Sequence, residues 1–166
     1  MRTYAMIALS ILVFGALNYG IYEKQKIKDH GEVVLLELAP VDPRSLMQGD
    51  YMRLRYAIER NAIPRSEWNT LPKRGYMVIQ PDENNVAQYV RIHDDEPIKD
   101  QEKLLRFHSK RGVHIVPDSF LFQEGHAPYY ENAKYGIFKF DNKGNHLLVG
   151  LANEDKKAIV VDSDKL

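Results

Sequence analysis

The pattern of apolar and polar residues divides the chain into two parts. Residues 4–22, YAMIALSILVFGALNYGIY, carry no charged side chain, and this run is close to the roughly 20 residues that a helix needs to cross the hydrocarbon core of a bilayer. After Gly31 the apolar residues instead recur at every second position, which is typical of strands with one buried face. The pattern therefore predicts an N-terminal membrane-spanning helix followed by a β-rich part.

Three interpretations of the apolar run are open: an uncleaved anchor, a cleaved signal peptide and a core helix of a soluble protein. A signal peptide needs a small-x-small cleavage site, and the sequence offers only a poor one around Gly15 and Leu17. A soluble helix would be amphipathic, whereas only Ser10 and Asn18 interrupt the apolar surface. The sequence favours a single-pass anchor that contacts the lipid bilayer through residues 4–22.

The polar segment after the apolar run, residues 23–31 (EKQKIKDHG), predicts an interfacial extension of the helix that ends at Gly31 in a left-handed cap. We therefore divide the chain into an anchor with its juxtamembrane segment, 1–30, and one β-rich domain, 31–166. Arg2 precedes the span and three lysines follow it, so charge counting alone weakly places the β-domain inside the cell.

Strands are predicted wherever short alternating segments are bounded by turn-forming residues. Two hairpins stand out, because PDENN (81–85) and DNKGN (141–145) separate such segments and Gly144 can adopt a positive φ. The predicted strands are 32–38, 51–58, 75–80, 86–92, 111–116, 119–123, 134–140, 146–152 and 157–162.

Helical patterns are weak outside the anchor. A short helix is predicted in each of two segments. One is 64–71, and the other is the part of 94–107 that follows Pro97. Many short strands separated by turns indicate a mainly β fold: a small all-β sandwich or open barrel with one N-terminal transmembrane helix and one or two short helices.

Composition narrows the classes of partner and chemistry. Lys plus Arg and Asp plus Glu number 23 each, so no overall positive field would attract nucleic acid, and we predict no nucleic-acid partner. The chain has no cysteine, which excludes disulfides, thiolate nucleophiles and Cys-ligated metals. With 166 residues and 44% hydrophobic content, one domain with its own core is expected.

The histidines do not form a metal-binding motif. None of the spacings matches HExxH or HxH, and HDDE at 93–96 lacks the glycine and the length of a calcium loop. We predict no metal site and no cofactor. The six histidines are His30, His93, His108, His114, His126 and His146.

The densest local pattern is PVDPRSLMQGDYMRLRY, residues 40–56. The PVDPR segment is predicted to stop one strand, and Gly49 with Asp50 to make the turn into the next. Asp42 and Asp50 would accept backbone N–H groups, and Arg44 would pair with one of these carboxylates.

The strand that follows this turn is predicted to have two distinct faces. Met52, Leu54, Tyr56 and Ile58 would lie on the buried face, and Tyr51, Arg53, Arg55 and Ala57 on the other. Arg53 and Arg55 therefore form a candidate binding face.

Residues Gly49, Asp50, Tyr51, Leu54 and Tyr56 match letter for letter the signature of the GDYxxLxY family of bacterial membrane-associated proteins, which the chain resembles. The lead-in with Asp42, Pro43 and Arg44 is also similar, and the segment 116–140 is similar more loosely. With the apolar helix, the resemblance covers nearly the whole chain. It implies a membrane-anchored protein with an extracytoplasmic β-domain, no assigned enzymatic activity and, in some cases, a multi-pass membrane protein as partner.

Three functional hypotheses follow. The first is a non-enzymatic, membrane-anchored β-domain that docks on a membrane protein. The second is a hydrolase or peptidase-like enzyme that uses Ser45 with Asp42 or Asp50, or the carboxylates of Glu124 and Glu131. The third is a β-barrel that binds a lipid or another small molecule. The sequence favours the first, because no nucleophile and base can be placed at hydrogen-bond distance.

Overall fold

In the computed structural model, residues 2–39, 47–48, 51–110, 112–141 and 144–161 are described. The mainly β fold is confirmed: the described residues are 37% strand and 26% helix, even though the N-terminal helix α1 alone has 29 residues. Helix α1 spans Arg2–His30 and is followed by strands β1 (Glu32–Glu37), β2 (Met47–Gln48), β3 (Tyr51–Arg53), β4 (Arg74–Pro81), β5 (Ala87–Ile92), β6 (Lys103–Ser109), β7 (Val113–Ile115), β8 (Ser119–Leu121), β9 (Tyr135–Phe140) and β10 (His146–Ala152).

The strands form three antiparallel sheets that curl into a half-barrel. Their orders are β1–β9–β10, β2–β3–β8 and β5–β4–β6–β7. A parallel bridge between Leu35 and Val86 connects the first sheet to the edge of the third, and an antiparallel bridge connects Leu38 to Tyr56. The apolar faces meet in one core, whose largest fully buried side chains include Tyr56, Phe107, Phe138, Phe140, Leu36 and Leu54.

Both predicted hairpins are confirmed. In β4–β5, the Asp82 carboxylate accepts hydrogen bonds from the backbone N–H groups of Asn84 and Val86, at 2.8 and 3.0 Å, and Asn85 has a φ of 60°. In β9–β10, Gly144 has a φ of 82°, a conformation in which glycine has no steric penalty. Local turn chemistry thus sets the register of both pairs.

Helix α1 is long and apolar enough to cross a membrane, and its apolar window is not buried by the rest of the protein. Its two polar interruptions are satisfied within the helix, because the Ser10 hydroxyl donates to the Met6 carbonyl oxygen and the Asn18 amide to that of Phe14. Hydrocarbon offers no hydrogen-bond partner to a polar side chain, so internal pairing suits a lipid-facing helix.

The end of α1 packs onto the first sheet. Ile27 is 5% exposed, and the Lys139 ammonium donates a 2.6 Å hydrogen bond to the Lys28 carbonyl oxygen. The helix ends at His30 as predicted, but the left-handed cap at Gly31 is wrong, since this glycine does not have a positive φ. A Cβ at this position would clash with the Ile27 carbonyl oxygen and lie 3.0 Å from the Lys139 Cβ, so the glycine permits both the helix end and its close approach to the sheet.

Three predicted elements differ from the structure. The helix predicted at 94–107 is wrong, because β6 occupies Lys103–Ser109 and pairs with β4. The strand predicted at 51–58 is shorter, since β3 ends at Arg53 and a one-turn helix starts at Ile58. In the described part of 157–162, a single bridge from Ala158 to Ala152 replaces the expected strand.

The remaining short elements agree more closely. The helix predicted at 64–71 is a 3₁₀ turn at Arg65–Glu67, and the strands predicted at 111–116 and 119–123 are the shorter β7 and β8. A further one-turn helix, Ala127–Tyr130, was not predicted.

Candidate functional site

The predicted site residues fall into a described and an undescribed group. The pairing of Arg44 with Asp42 or Asp50, and the nucleophile of the enzymatic hypothesis, remain predictions, because these residues lie outside the described part of the chain. The undescribed candidates are Asp42, Pro43, Arg44, Ser45, Gly49 and Asp50.

The described part of the motif begins in the small sheet β2–β3–β8. Gln48 is paired with Tyr51 across β2 and β3, and the two residues between them in sequence are Gly49 and Asp50. On the other side, Tyr51 is paired with Leu121 of β8. The outward side chains of this sheet include Arg53 and Leu121, and Leu121 is 76% exposed.

Leu54 and Tyr56 lie in the core, as the alternation predicts, at 1% and 0% exposure. The Leu54 N–H donates a 2.8 Å hydrogen bond to the Asp118 carbonyl oxygen, and the Tyr56 hydroxyl donates one of 2.8 Å to the Pro117 carbonyl oxygen. The Tyr56 ring meets the Phe138 ring edge-on at 5.7 Å. The Leu54 backbone and the Tyr56 side chain thus tie this part of the motif to the segment that precedes β8.

The hydroxyl of Tyr56 is held in its neutral form. Burial raises its pKa far above the ordinary range, and the nearby Glu59 and Asp118 carboxylates act in the same direction. A phenol in this environment serves as a hydrogen-bond donor and not as a base.

Glu59 is a buried carboxyl group that the sequence pattern does not predict. It is 5% exposed, and its Oε1 accepts a 2.8 Å hydrogen bond from the Ile115 N–H. Burial raises its pKa from 4.5 to about 7, while the Ile115 N–H and the Arg55 guanidinium act in the opposite direction. No periodic signal marks Glu59, because its partner is 56 residues away in the chain.

On the outward side, Arg53 and Arg55 are exposed as predicted. Arg55 reaches His114, with 3.4 Å between Nη1 and Nδ1. The His114 ring stacks on that of His108 at 5.2 Å. Burial lowers the pKa of His114, and the neighbouring Arg55 and His108 lower it further, so its neutral form is favoured.

A cluster of basic residues lies on the outer face of β4 and β6. We call Lys73, Arg74, Arg106, His108 and Lys110 the basic face; together with Val116 they line a groove of about 710 Å³. The strand register places Arg74 opposite His108, and Tyr76 opposite Arg106. The Arg106 guanidinium lies 5.9 Å above the centre of the Tyr76 ring, a cation–π arrangement.

The carboxylates of the enzymatic hypothesis lie at the surface. Glu124 and Glu131 are both exposed, one before and one after the helix Ala127–Tyr130. Within the described residues, no group of three or more His, Asp or Glu side chains is arranged to hold a metal ion.

A family model described as "GDYXXLXY protein" matches residues 13–151. The chain belongs to the GDYXXLXY family. The match covers the second half of the apolar helix, the motif at 49–56 and strands β1 to β9 with most of β10. No curated protein and no solved structure is significantly similar to the chain.

In this GDYXXLXY protein, the described letters of the motif have different surroundings. Leu54 and Tyr56 are core residues with backbone partners in the segment 117–118, whereas Tyr51 is half-buried beside Leu121. The variable positions of the motif include Arg53 and Arg55, which are exposed. The invariant Leu54 and Tyr56 therefore build the core together with the variable Met52, and the variable Arg53 and Arg55 point outward.

Proposed function

We propose that this GDYXXLXY protein is a non-enzymatic, single-pass membrane protein whose β-domain lies on the extracytoplasmic side and docks on a membrane-protein partner. The junction between helix and sheet is the observation that carries this proposal. Ile27 is buried against the first sheet and Lys139 donates to the Lys28 carbonyl oxygen, so the helix leads into the domain without a flexible linker. A domain held in this way has a defined height and orientation relative to a partner in the same membrane.

The outward face of β3 and β8 is the docking surface that we propose, and we call Tyr51, Arg53, Ser119 and Leu121 the motif face. An exposed leucine beside tyrosine and arginine is typical of interfaces, where aromatic residues and arginine are enriched. Strand β1 leads from the end of α1 towards the Leu38–Tyr56 bridge, and its six residues span about 20 Å. The motif face is thus presented away from the membrane end of the domain.

The environments of Tyr56 and Glu59 favour a structural role over catalysis. The Tyr56 hydroxyl is engaged by the Pro117 carbonyl oxygen, and the Glu59 carboxylate by the Ile115 N–H. Both groups are buried, so a substrate would have to displace core packing to reach them. This supports a binding protein in preference to a hydrolase.

Docking is tested by purifying the tagged full chain in mild detergent. We expect a membrane protein to co-purify in a fixed ratio, and the double substitution Arg53→Glu/Leu121→Asp to abolish its recovery. The matched control is Arg60→Glu/Lys157→Glu, which changes two exposed cations outside the motif face and should leave recovery intact. Recovery that is equal for both variants contradicts docking through the motif face.

Sidedness is tested with single cysteines, since the chain has none of its own. Asn61 in the β-domain and Thr3 before the span are both exposed. In cells with a permeabilised outer envelope, a membrane-impermeant maleimide should label the Asn61→Cys variant and not the Thr3→Cys variant. The reverse result would place the β-domain in the cytoplasm.

The hydrolase hypothesis has its own test. A serine-reactive fluorophosphonate probe should leave the full chain unlabelled. Labelling that is lost in a Ser45→Ala variant would replace the docking proposal with an enzymatic one.

A further inference from the structure

The basic face is an uncompensated concentration of charge on a protein that is neutral overall. Lys plus Arg equals Asp plus Glu at 23 each, yet no carboxylate of the described residues lies within 4.0 Å of any basic-face side chain. Arg74 and His108 are directly opposite each other on β4 and β6. Arg106 lies on the same face of β6 as His108, so the Arg74 and Arg106 guanidinium groups are concentrated over one groove. The face therefore matches an anionic ligand.

The basic face is connected to the end of the anchor through the start of β6 and through His146. The Lys103 ammonium lies 2.6 Å from the Glu32 carboxylate, which fixes the start of β6 next to the start of β1. His146 is within electrostatic reach of both Arg106 and Lys24, and its Nε2 is 3.0 Å from the Val116 carbonyl oxygen in the same groove. The groove and the juxtamembrane Lys24 thus share His146 as a common neighbour.

The height of this end above the hydrocarbon follows from helix geometry. The apolar run ends at Tyr22, and Lys24 is two residues further on, about 3 Å along the helix axis. The headgroup layer of one leaflet is roughly 5–8 Å deep, and charges interact over a Debye length of about 8–10 Å. Lys24 therefore lies in the headgroup layer, and His146 is an electrostatic neighbour of both Lys24 and Arg106.

The side chains suit a phosphate group. Guanidinium forms paired hydrogen bonds with two phosphate oxygens, and the exposed Arg74 and Arg106 lie on neighbouring strands that face one groove. The cation–π contact with Tyr76 orients the Arg106 side chain along the sheet surface. These residues can close on a phosphate from two sides.

We propose that the basic face binds the headgroup phosphates of anionic phospholipids in the bilayer that holds α1. This inference rests on the membrane anchoring in the proposed function, and it does not depend on the protein partner. Lipid binding through this face would hold the domain down on the membrane surface and leave the motif face free.

The first experiment measures lipid binding by the full chain in an uncharged detergent. Dioctanoyl phosphatidylglycerol is titrated by calorimetry, with dioctanoyl phosphatidylcholine as the zwitterionic comparison. We expect binding of the anionic lipid only, and a loss of affinity of about 30-fold for Arg74→Gln/Arg106→Gln, from about fivefold per basic side chain near an anionic surface. Arg60→Gln/Lys157→Gln is the matched control and should stay within about twofold.

The second experiment places the ligand in a bilayer. A fluorophore on a Val116→Cys variant reports on the groove, because this residue is exposed and the chain has no other cysteine. In vesicles with a quencher attached to phosphatidylcholine headgroups, quenching should rise when phosphatidylglycerol is included. The rise should disappear in the background of Arg74→Gln/Arg106→Gln.

Several results would overturn the proposal. Equal binding of the two lipids, or an equal loss in the control variant, would show that the basic face does not select anionic headgroups. Displacement of the lipid by inorganic phosphate at the same concentration would assign the groove to a free anion. Loss of the co-purifying protein from Arg74→Gln/Arg106→Gln, with lipid binding intact, would make the face a protein-docking surface.

The anchoring itself is checked separately. Release of the full chain from membranes by alkaline carbonate would contradict the proposed function. A chain that stays in the membrane but does not bind phosphatidylglycerol would contradict only the lipid proposal. An unchanged thermal midpoint for Arg74→Gln/Arg106→Gln shows that the variant is folded.

Discussion

The hydroxyl of Tyr56 donates a hydrogen bond of 2.8 Å to the carbonyl oxygen of Pro117, which lies 61 residues later in the chain. It joins the last letter of the motif to the segment that enters β8, and the Leu54 N–H makes a parallel connection to Asp118. Leu54 and Tyr56, the two buried residues of the motif signature, are therefore both held by the segment 117–118. This accounts for a tyrosine at a fully buried position, where phenylalanine would fill the same space.

Replacing Tyr56 with Phe tests that hydrogen bond. The substitution keeps the ring and leaves the Pro117 carbonyl oxygen without its donor, so we expect a loss of about 1–3 kcal/mol in the free energy of unfolding. Urea unfolding of the full chain in detergent measures it. Tyr129→Phe, at a tyrosine that is 44% exposed, should change the value by less than about 0.5 kcal/mol. Equal losses for the two substitutions would show that the Tyr56 hydroxyl stabilises the fold no more than an exposed tyrosine hydroxyl does.

Glu59 predicts a pH dependence of stability. Its pKa is raised from 4.5 to about 7 in the folded protein, so the folded state binds the proton more tightly than the unfolded state. This contribution is fully present below pH 4.5 and is lost as the pH rises through about 7. Glu59→Gln, which cannot ionise, should therefore gain about 1–3 kcal/mol over the natural protein at pH 8, and the gain should vanish near pH 4.

The measurement is urea unfolding at a series of pH values. Glu131→Gln serves as the control, because this side chain is exposed and its substitution should change the free energy of unfolding by less than about 0.5 kcal/mol. A difference for Glu59→Gln that is constant from pH 4 to pH 8 would show that the buried carboxyl group does not titrate as described.

The helix–sheet junction predicts contrasting effects at two glycines. A Cβ on residue 31 would clash with the Ile27 carbonyl oxygen of the last helical turn and press on the Lys139 Cβ at 3.0 Å and the Phe140 carbonyl oxygen at 3.1 Å. A Cβ on Gly20 meets nothing within 4 Å. Gly31→Ala should cost about 1–3 kcal/mol and loosen the junction, and Gly20→Ala should not destabilise the protein. Hydrogen exchange of residues 27–33 follows the loosening. Unchanged exchange in Gly31→Ala would mean that the junction accommodates a methyl group.

Two glycines with positive φ, one in the β9–β10 turn and one before the helix Ala127–Tyr130, form a second matched pair. Gly144 and Gly125 have φ angles of 82° and 83°, so alanine is strained at both, but only at Gly144 would its Cβ meet Leu104, at 3.2 Å. Gly125→Ala should cost about 1–2 kcal/mol, and Gly144→Ala about 1–3 kcal/mol more. Thermal unfolding of the two variants makes the comparison. Equal costs would show that Leu104 moves aside freely.

The sequence predicted those parts of the fold that depend on local chemistry. Turn residues such as Asp82 and Gly144 define the hairpins, and the alternation from Met52 to Tyr56 separates the core from the surface. Strand β6 was missed because Pro97 and the charged residues after it resemble a helix start. Leu105 and Phe107 alternate with polar residues in the same segment and carry the strand signal.

The site was less predictable, because its contacts join distant segments. The burial of Glu59 depends on Ile115, and the stacking of His108 on His114 depends on the pairing of β6 with β7. The basic face likewise arises from the register that sets Arg74 opposite His108. Arg74 and His108 are 34 positions apart in the sequence, so no local pattern predicts the cluster.

In the proposed membrane-anchored arrangement, the thickness of the bilayer would set the angle at which the β-domain stands, because α1 leads into the domain without a flexible linker. A helix whose apolar length exceeds the hydrocarbon thickness tilts until the two match. Because Ile27 is buried against the sheet, the β-domain tilts together with α1. With β1 as an arm of about 20 Å, a tilt change of about 10° displaces the motif strand sideways by about 3–4 Å. Thick and thin membranes would thus present the same surface to a neighbouring protein at different positions.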